Sequence, residues 1–180
     1  MKTGSAKGFT LIELLIVVAI IGIIAAIAVP GLLRARMSGN EASAIGSLRA
    51  VNSGEASYSS SCAPGGGYAI DLADLAKPAT GTNQGFISPD LNAQDVLKSG
   101  YNVKLEKDGA AGVQDVGTAA STCNASAGTP ASSYYGYAKP ATLGGTGTRS
   151  FATDTRGTIF WNATATPPIN PIPSTATVVQ

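Results

Sequence analysis

The chain has 180 residues, of which 44% are hydrophobic and only 13% charged, and its formal net charge is +1. This length accommodates one domain of ordinary size, or one long helix with a modest globular head. The near-zero charge gives no electrostatic reason to expect nucleic acid or an acidic partner. The absence of histidine removes the commonest general base and the commonest nitrogen ligand for zinc. We therefore expect no enzyme activity, no cofactor and no metal site.

The first eight residues form a short basic segment, MKTGSAKG, which contains Lys2 and Lys7 and no acid. A basic segment that precedes a long apolar run tends to stay on the cytoplasmic side of a membrane. We therefore expect residues 1–8 to be cytoplasmic.

A long apolar run follows, with the sequence FTLIELLIVVAIIGIIAAIAVPG. Residues 14–29 contain no charged or polar side chain, and the one charge in the run is Glu13. With residues 9–12 added, the run reaches the roughly 20 residues that cross the hydrocarbon core of a bilayer. The run thus predicts a transmembrane helix.

An ordinary secretory signal and a plain membrane anchor are simpler interpretations of this block. The run is longer than the usual core of a signal peptide, and no small-x-small cleavage site follows it cleanly. A plain anchor leaves Glu13 unexplained, since a charge at membrane depth costs about 2.5–3.5 kcal/mol on insertion scales. The carboxylate therefore calls for a role and a partner.

The segment KGFTLIE, residues 7–13, resembles the prepilin cleavage and methylation site of type IV pilins and type II secretion pseudopilins. The resemblance covers about residues 1–55. It implies that residues 1–8 are a leader peptide, that a membrane peptidase cuts after Gly8, and that the new amino terminus on Phe9 is methylated. Glycine suits the position before the cut, because a residue without a Cβ atom lets the backbone adopt unusual angles.

The resemblance also implies a mechanism of filament assembly. Cleavage leaves a cationic amine on Phe9, and Glu13 lies one helical turn further along the same face. In a filament, the amine of an incoming subunit pairs with Glu13 of its neighbour, which specifies the axial register of docking.

The implied function is that of a major pilin, the structural subunit of a type IV pilus. The alternative is a major pseudopilin of a type II secretion system, and a minor pilin or tip adhesin is a further alternative. The implied partners are copies of the same chain in a helical filament, the prepilin peptidase, the inner-membrane assembly platform and the membrane itself. The subunit would lie in the inner membrane with its head exported, and later in an extracellular pilus or a periplasmic pseudopilus.

The long helix is predicted in two halves. Residues 9–30 form the half that spans the membrane and later lies in the filament core, and residues 31–58 form an amphipathic half that supports the head. Pro30 and Gly31 predict a kink or local melting, since proline removes one helical hydrogen bond. The alternative is that Pro30 ends the helix. The apolar residues of the second half are Leu33, Met37, Ala44, Leu48 and Val51.

Residues 59–165 are predicted to form the globular head. A short helical piece is predicted at residues 69–76, and the alternation of YNVKLEK predicts a half-buried strand. The complete set of predicted strands is 101–107, 133–138, 149–153 and 158–162. We expect a pilin-like α+β fold in which the long helix packs against a small antiparallel sheet of three or four strands. The proline-rich residues 166–180 are expected to be extended and mobile, without a packed role.

The two cysteines, Cys62 and Cys123, predict a disulfide that joins the end of the helix to the head, with two free thiols as the alternative. This bond favours the pilus, whereas a calcium-loaded head without a cysteine bridge would favour the pseudopilin. The aspartates of the head show no EF-hand-like spacing, so solvated loop acids are favoured over a calcium site.

Overall fold

The structure is a computed structural model that describes residues 8–179. Residues 1–7 of the predicted leader and residue 180 of the predicted tail lie outside the described part. The chain divides into two compact units, with the boundary between Arg36 and Met37.

A single long helix, α1, runs from Leu11 to Ser61. In the first unit every described side chain is exposed. Pro30 lies inside the helix, so the alternative in which it ends the helix is wrong. The kink at Pro30 and Gly31 stays a prediction.

The second unit contains an antiparallel sheet whose strands follow one another in chain order. Its six strands are β1 Val96–Lys98, β2 Tyr101–Lys107, β3 Tyr134–Pro140, β4 Ser150–Asp154, β5 Ile159–Asn162 and β6 Thr177–Val178. The predicted α+β class is confirmed. The prediction of three or four strands missed β1 and β6, because elements of two or three residues are too short to show a period-2 pattern.

The core of the head lies between the sheet and the part of α1 that begins at Met37. Leu48, Val51 and Tyr58 of α1 are buried in one cluster with side chains of β2 and β4. In β2 the buried and half-buried positions alternate, as the sequence predicts for a strand with one face on a core. Each fully buried aliphatic side chain contributes about 1.5–3 kcal/mol relative to an exposed one.

Glu41 fixes the first turns of this helix half against the loop before β4. Its Oε1 accepts hydrogen bonds from the backbone N–H and the hydroxyl of Thr148, both at 2.8 Å. Its Oε2 lies 2.7 Å from Nη2 of Arg149. Burial by itself raises the pKa of Glu41, but the hydrogen bonds from Thr148 and Arg149 outweigh it, and the pKa is below its ordinary value.

Asn52 fixes the middle of the same half against the sheet. Its Oδ1 accepts hydrogen bonds from the hydroxyls of Tyr134 and Thr153, both at 3.0 Å. Its Nδ2 donates to the carbonyl of Gly157, also at 3.0 Å. Both ends of the amide are therefore satisfied, and the rotation of α1 on the sheet is specified by polar contacts as well as by apolar packing.

A second, short helix, α2, extends from Leu72 to Ala76. It begins three residues after the predicted piece, because the side chain of Asp71 caps it by accepting the N–H of Ala73. Asp74 in α2 is buried, and its two oxygens accept backbone N–H groups at 2.7 and 2.9 Å. It is therefore a structural acid, whereas the sequence suggested a solvated one.

Cys62 and Cys123 form a disulfide that joins the residue after α1 to the long loop before β3. The two residues are 61 positions apart, and their Cα atoms lie 4.6 Å from each other. In the chain-entropy model, closing a loop of this length contributes about 4 kcal/mol to the free energy of unfolding.

The tail packs on the outer face of the sheet, so the prediction that it has no packed role is wrong. Ile172 is buried in a second cluster with Tyr135 and Phe160. The hydroxyl of Tyr135 donates to the carbonyl of Pro168, and Nη2 of Arg156 donates to the carbonyl of Ile172. The large apolar side chains on this face need cover, and a proline-rich segment loses little entropy when it becomes ordered there.

Glu55 is fully buried in the core of the head. Its Oε2 accepts the N–H of Ala69 at 2.9 Å, while its Oε1 has no hydrogen-bond partner among the residues that the structure describes. Burial raises the pKa of Glu55 well above its ordinary value of 4.5. At a pH between 4.5 and its raised pKa, Glu55 therefore keeps a proton in the native head that it releases in the unfolded chain.

We predict that Glu55→Gln removes a pH-dependent loss of stability. Because the native pKa of Glu55 is raised, the free energy of unfolding falls as pH rises above 4.5. The slope is about 1.4 kcal/mol per pH unit until the native group also ionises. Thermal unfolding of the full chain in detergent micelles, from about pH 4 to about pH 8, should show a smaller decline for the variant than for the wild type.

Glu41→Gln is the matched control, and its effect has the opposite sign. The lowered pKa of Glu41 contributes stability above 4.5 that is lost as pH falls. The difference between wild type and this variant should therefore be constant well above pH 4.5 and shrink as pH falls below it, so its profile is extended to lower pH. Parallel pH profiles for wild type and Glu55→Gln would contradict the prediction.

Candidate assembly and processing site

The start of α1 is closed by a reciprocal pair of side chains. The hydroxyl oxygen of Thr10 accepts the backbone N–H of Glu13 at 3.3 Å. In return, Oε2 of Glu13 accepts the backbone N–H of Thr10 at 2.9 Å and its hydroxyl at 2.7 Å. This arrangement is a capping box, in which Thr10 is the N-cap and Glu13 the third helical residue.

The capping box gives Glu13 a role before any second subunit is present. All its hydrogen bonds within residues 8–179 go to Oε2, and Oε1 makes none. A carboxylate near a helix N-terminus is also favoured by the helix dipole. The cap thus uses one oxygen, and the other is available to a cation. Thr10 is not among the site residues predicted from the sequence, although a threonine three residues before a glutamate is a signal for this motif.

Gly8 and Phe9 precede the helix and are exposed. The predicted scissile bond between them therefore lies in non-helical chain that a protease can reach. A Cβ atom added to Gly8 would meet no other atom within 4 Å. The packing of the described chain therefore does not explain a glycine here.

The apolar surface of α1 extends from the capping box to Leu33. Of the described residues, one helix, α1, is long and apolar enough to cross a membrane, and none of its most apolar stretch is buried within the chain. Large side chains such as Phe9 and Ile27 are 79% and 77% exposed. A contiguous apolar surface of this size marks a contact with lipid or with other proteins.

The head offers no obvious metal centre. Within residues 8–179, no group of three His, Cys, Asp or Glu side chains is placed to hold an ion. Asp74, one of the acids considered for calcium, already uses both carboxylate oxygens for backbone N–H groups.

Comparison with known proteins assigns the N-terminal segment. The family model described as the prokaryotic N-terminal methylation motif matches residues 4–29. The chain is also 65% identical over 37 residues to the type IV wide pilus major component PilA4 of Thermus thermophilus. The N-terminal segment thus carries this methylation motif, and the chain is similar over 37 residues to a type IV pilus component. The aligned part covers 21% of this chain and 28% of PilA4, and no solved structure matches the chain.

The match to the methylation motif includes the whole of the site described above. Gly8, Phe9, Thr10 and Glu13 all fall within the matched residues. Within residues 8–179, the motif therefore combines an accessible bond, a helix cap and a carboxylate whose second oxygen makes no hydrogen bond.

We predict that Thr10→Ala weakens the first turn of α1. Loss of an N-cap hydroxyl typically costs about 1 kcal/mol, which corresponds to about fivefold faster hydrogen exchange of the Glu13 amide. Exchange can be followed by NMR on the full chain in detergent micelles. Thr10→Ser retains the hydroxyl and should exchange like the wild type. Equal exchange in wild type and Thr10→Ala would contradict the capping role.

Proposed function

We propose that the chain is the major pilin of a type IV pilus and that it polymerises through its N-terminal helix after the leader is cut between Gly8 and Phe9. The observation that carries the proposal is the uncovered apolar surface of α1, which begins at a capped carboxylate. The proposed role is structural, and no reaction is assigned to any residue. The printed role of PilA4 as a wide-pilus major component supports this choice.

The apolar surface explains why the subunit needs two environments. The first 23 residues of α1, Leu11 to Leu33, are all exposed within the described chain. Before assembly these side chains would lie in the lipid of the inner membrane, after insertion with the leader on the cytoplasmic side. In the filament, the helices of neighbouring copies would replace the lipid, so that burial of the apolar surface is preserved.

The charge at Glu13 explains why one register is preferred. Cleavage produces a cationic amine on Phe9, and the Glu13 Oε1 of a neighbouring copy is available to receive it. A charge in the apolar layer costs about 2.5–3.5 kcal/mol, so pairing relieves two such costs at once. The proposed docking step therefore requires the amine and the carboxylate to meet.

The head favours a pilus over the alternative pseudopilin. The disulfide between Cys62 and Cys123 suits the exported head that both candidates have, and it is the cysteine bridge that the expected pseudopilin head lacks. The expected sign of the pseudopilin was a calcium-loaded head without a cysteine bridge. The proposed partners are further copies of the chain, the prepilin peptidase and the inner-membrane assembly platform.

We predict that Glu13→Gln and Glu13→Ala both prevent assembly while membrane insertion persists. Removing one member of a buried ion pair costs about 3–5 kcal/mol, so the amount of assembled protein should fall at least about 100-fold. Filaments sheared from cells and membrane-retained subunits are quantified separately by immunoblotting.

The glutamine variant separates the two roles of Glu13. A glutamine oxygen still accepts the hydrogen bonds of the capping box, but its neutral side chain gives the amine no counter-charge. Normal filaments from Glu13→Gln would show that the carboxylate serves only the helix cap, and the pairing mechanism would be wrong.

Electron microscopy of sheared surface filaments, combined with the intact mass of their main protein, tests the function as a whole. We expect this chain to dominate long external filaments, to begin at N-methylated Phe9, and to lack the two hydrogens that a disulfide removes. If the processed chain is confined to the envelope and its deletion stops protein secretion, the pseudopilin replaces the pilin.

A further inference from the structure

Two arginines follow the apolar surface of α1 directly. Arg34 and Arg36 are exposed, and neither guanidinium forms a salt bridge or a hydrogen bond within residues 8–179. They come immediately after Leu33, the last large apolar side chain of the uncovered surface. The helix therefore changes within one turn from purely apolar to cationic.

The position of this change along the helix matches the thickness of a membrane. From Leu11 to Leu33 the helix rises about 33 Å, and the hydrocarbon core of a bilayer is about 30 Å thick. When the apolar residues fill that core, Arg34 and Arg36 lie at the level of the lipid phosphates. Long basic side chains at this depth extend their charged groups to the interface.

The two arginines point to nearly opposite sides of the helix. Successive residues of an α-helix are about 100° apart, so positions 34 and 36 are separated by about 200° and by only about 3 Å along the axis. A single protein surface on one side of the helix cannot contact both guanidinium groups. A lipid leaflet surrounds the helix and can contact both at the same depth.

The distribution of basic residues on the two sides of the apolar run also indicates that Arg34 and Arg36 have a binding role. In the proposed orientation Lys2 and Lys7 lie on the cytoplasmic side and Arg34 and Arg36 on the exported side. Basic residues close to a membrane segment normally favour the cytoplasmic side, so the arginines work against this orientation. A favourable interaction on the exported side would offset that disadvantage.

We propose that Arg34 and Arg36 form an interfacial girdle that binds the phosphate groups of anionic phospholipids in the leaflet next to the head. Guanidinium groups suit this ligand, because they donate charge-assisted, bidentate hydrogen bonds to phosphate oxygens. The girdle defines the depth of the helix in the membrane before assembly. The inference rests on the proposed function in one respect, which is that the helix is inserted in a membrane.

Native mass spectrometry of the full chain, released from nanodiscs of three parts phosphatidylcholine to one part phosphatidylglycerol, tests the girdle. We expect the wild type to retain phosphatidylglycerol above its share in the disc. Each arginine should contribute about fivefold to this enrichment, since a basic residue near an anionic surface contributes about 1 kcal/mol. Arg34→Gln/Arg36→Gln should retain lipids in the proportion of the disc.

Arg49→Gln is the matched control, because Arg49 is another exposed arginine of α1 but lies about 20 Å further along the helix axis. It should behave like the wild type. If Arg49→Gln and the double variant lost equal amounts of phosphatidylglycerol enrichment, the girdle would be overturned, because general positive charge would then explain the lipid retention. The girdle would also be overturned if the double variant kept its enrichment in phosphatidylglycerol but formed no filaments. The arginines would then contact acidic side chains of a neighbouring copy in the filament.

Resistance of the wild type to extraction from cell membranes by alkaline carbonate is measured in parallel. Extraction of the wild type by carbonate would contradict membrane insertion, and the proposed function would then fail together with the girdle. A chain that resists extraction but shows no lipid enrichment overturns the girdle alone.

Discussion

The constraint on which the rest of the structure depends is the apolar surface of α1, which the chain cannot cover by itself. The side chains from Leu11 to Leu33 surround the helix and are exposed, and the core of the head includes side chains of the helix part that begins at Met37. A helix that is apolar on every side needs lipid or other helices around it. Membrane insertion and polymerisation are two ways to meet the same requirement, and a subunit can pass from one to the other without exposing this surface to water.

The head half of α1 meets the opposite requirement, because it must hold one fixed position on the sheet. Apolar contacts of Leu48 and Val51 provide most of the stabilisation, but they tolerate small rotations of the helix. The contacts of Glu41 and Asn52 do not tolerate such rotations, because both polar atoms of each side chain bond to defined partners in the head. A buried polar group that loses its partner costs about 1–3 kcal/mol. The polar contacts therefore specify the packing that the apolar contacts stabilise.

Local patterns predicted much of this fold, and contacts between distant residues account for what they missed. The seven residues of β2 were predicted at their observed bounds, because buried and half-buried positions alternate along them. The tail was misjudged because its cover of Tyr135 and Phe160 depends on which face of the sheet those rings occupy. Glu41 and Arg149 are far apart in sequence, so no local pattern predicts their contact. Thr10 is different, because its three-residue spacing from Glu13 is a local pattern that indicates a capping box.

Glu55 and Glu13 show how the same type of side chain is used in different ways. Among the described residues no cation bonds to Glu55, and burial raises its pKa, which favours the protonated form of this side chain in the core. Glu13 is held by Thr10 at the helix start, through one oxygen only. In the proposed filament the amine of a neighbour approaches the other oxygen, so docking does not have to break the cap. The helix can therefore enter the filament with its first turn already formed, and the free energy of pairing is not spent on reordering it.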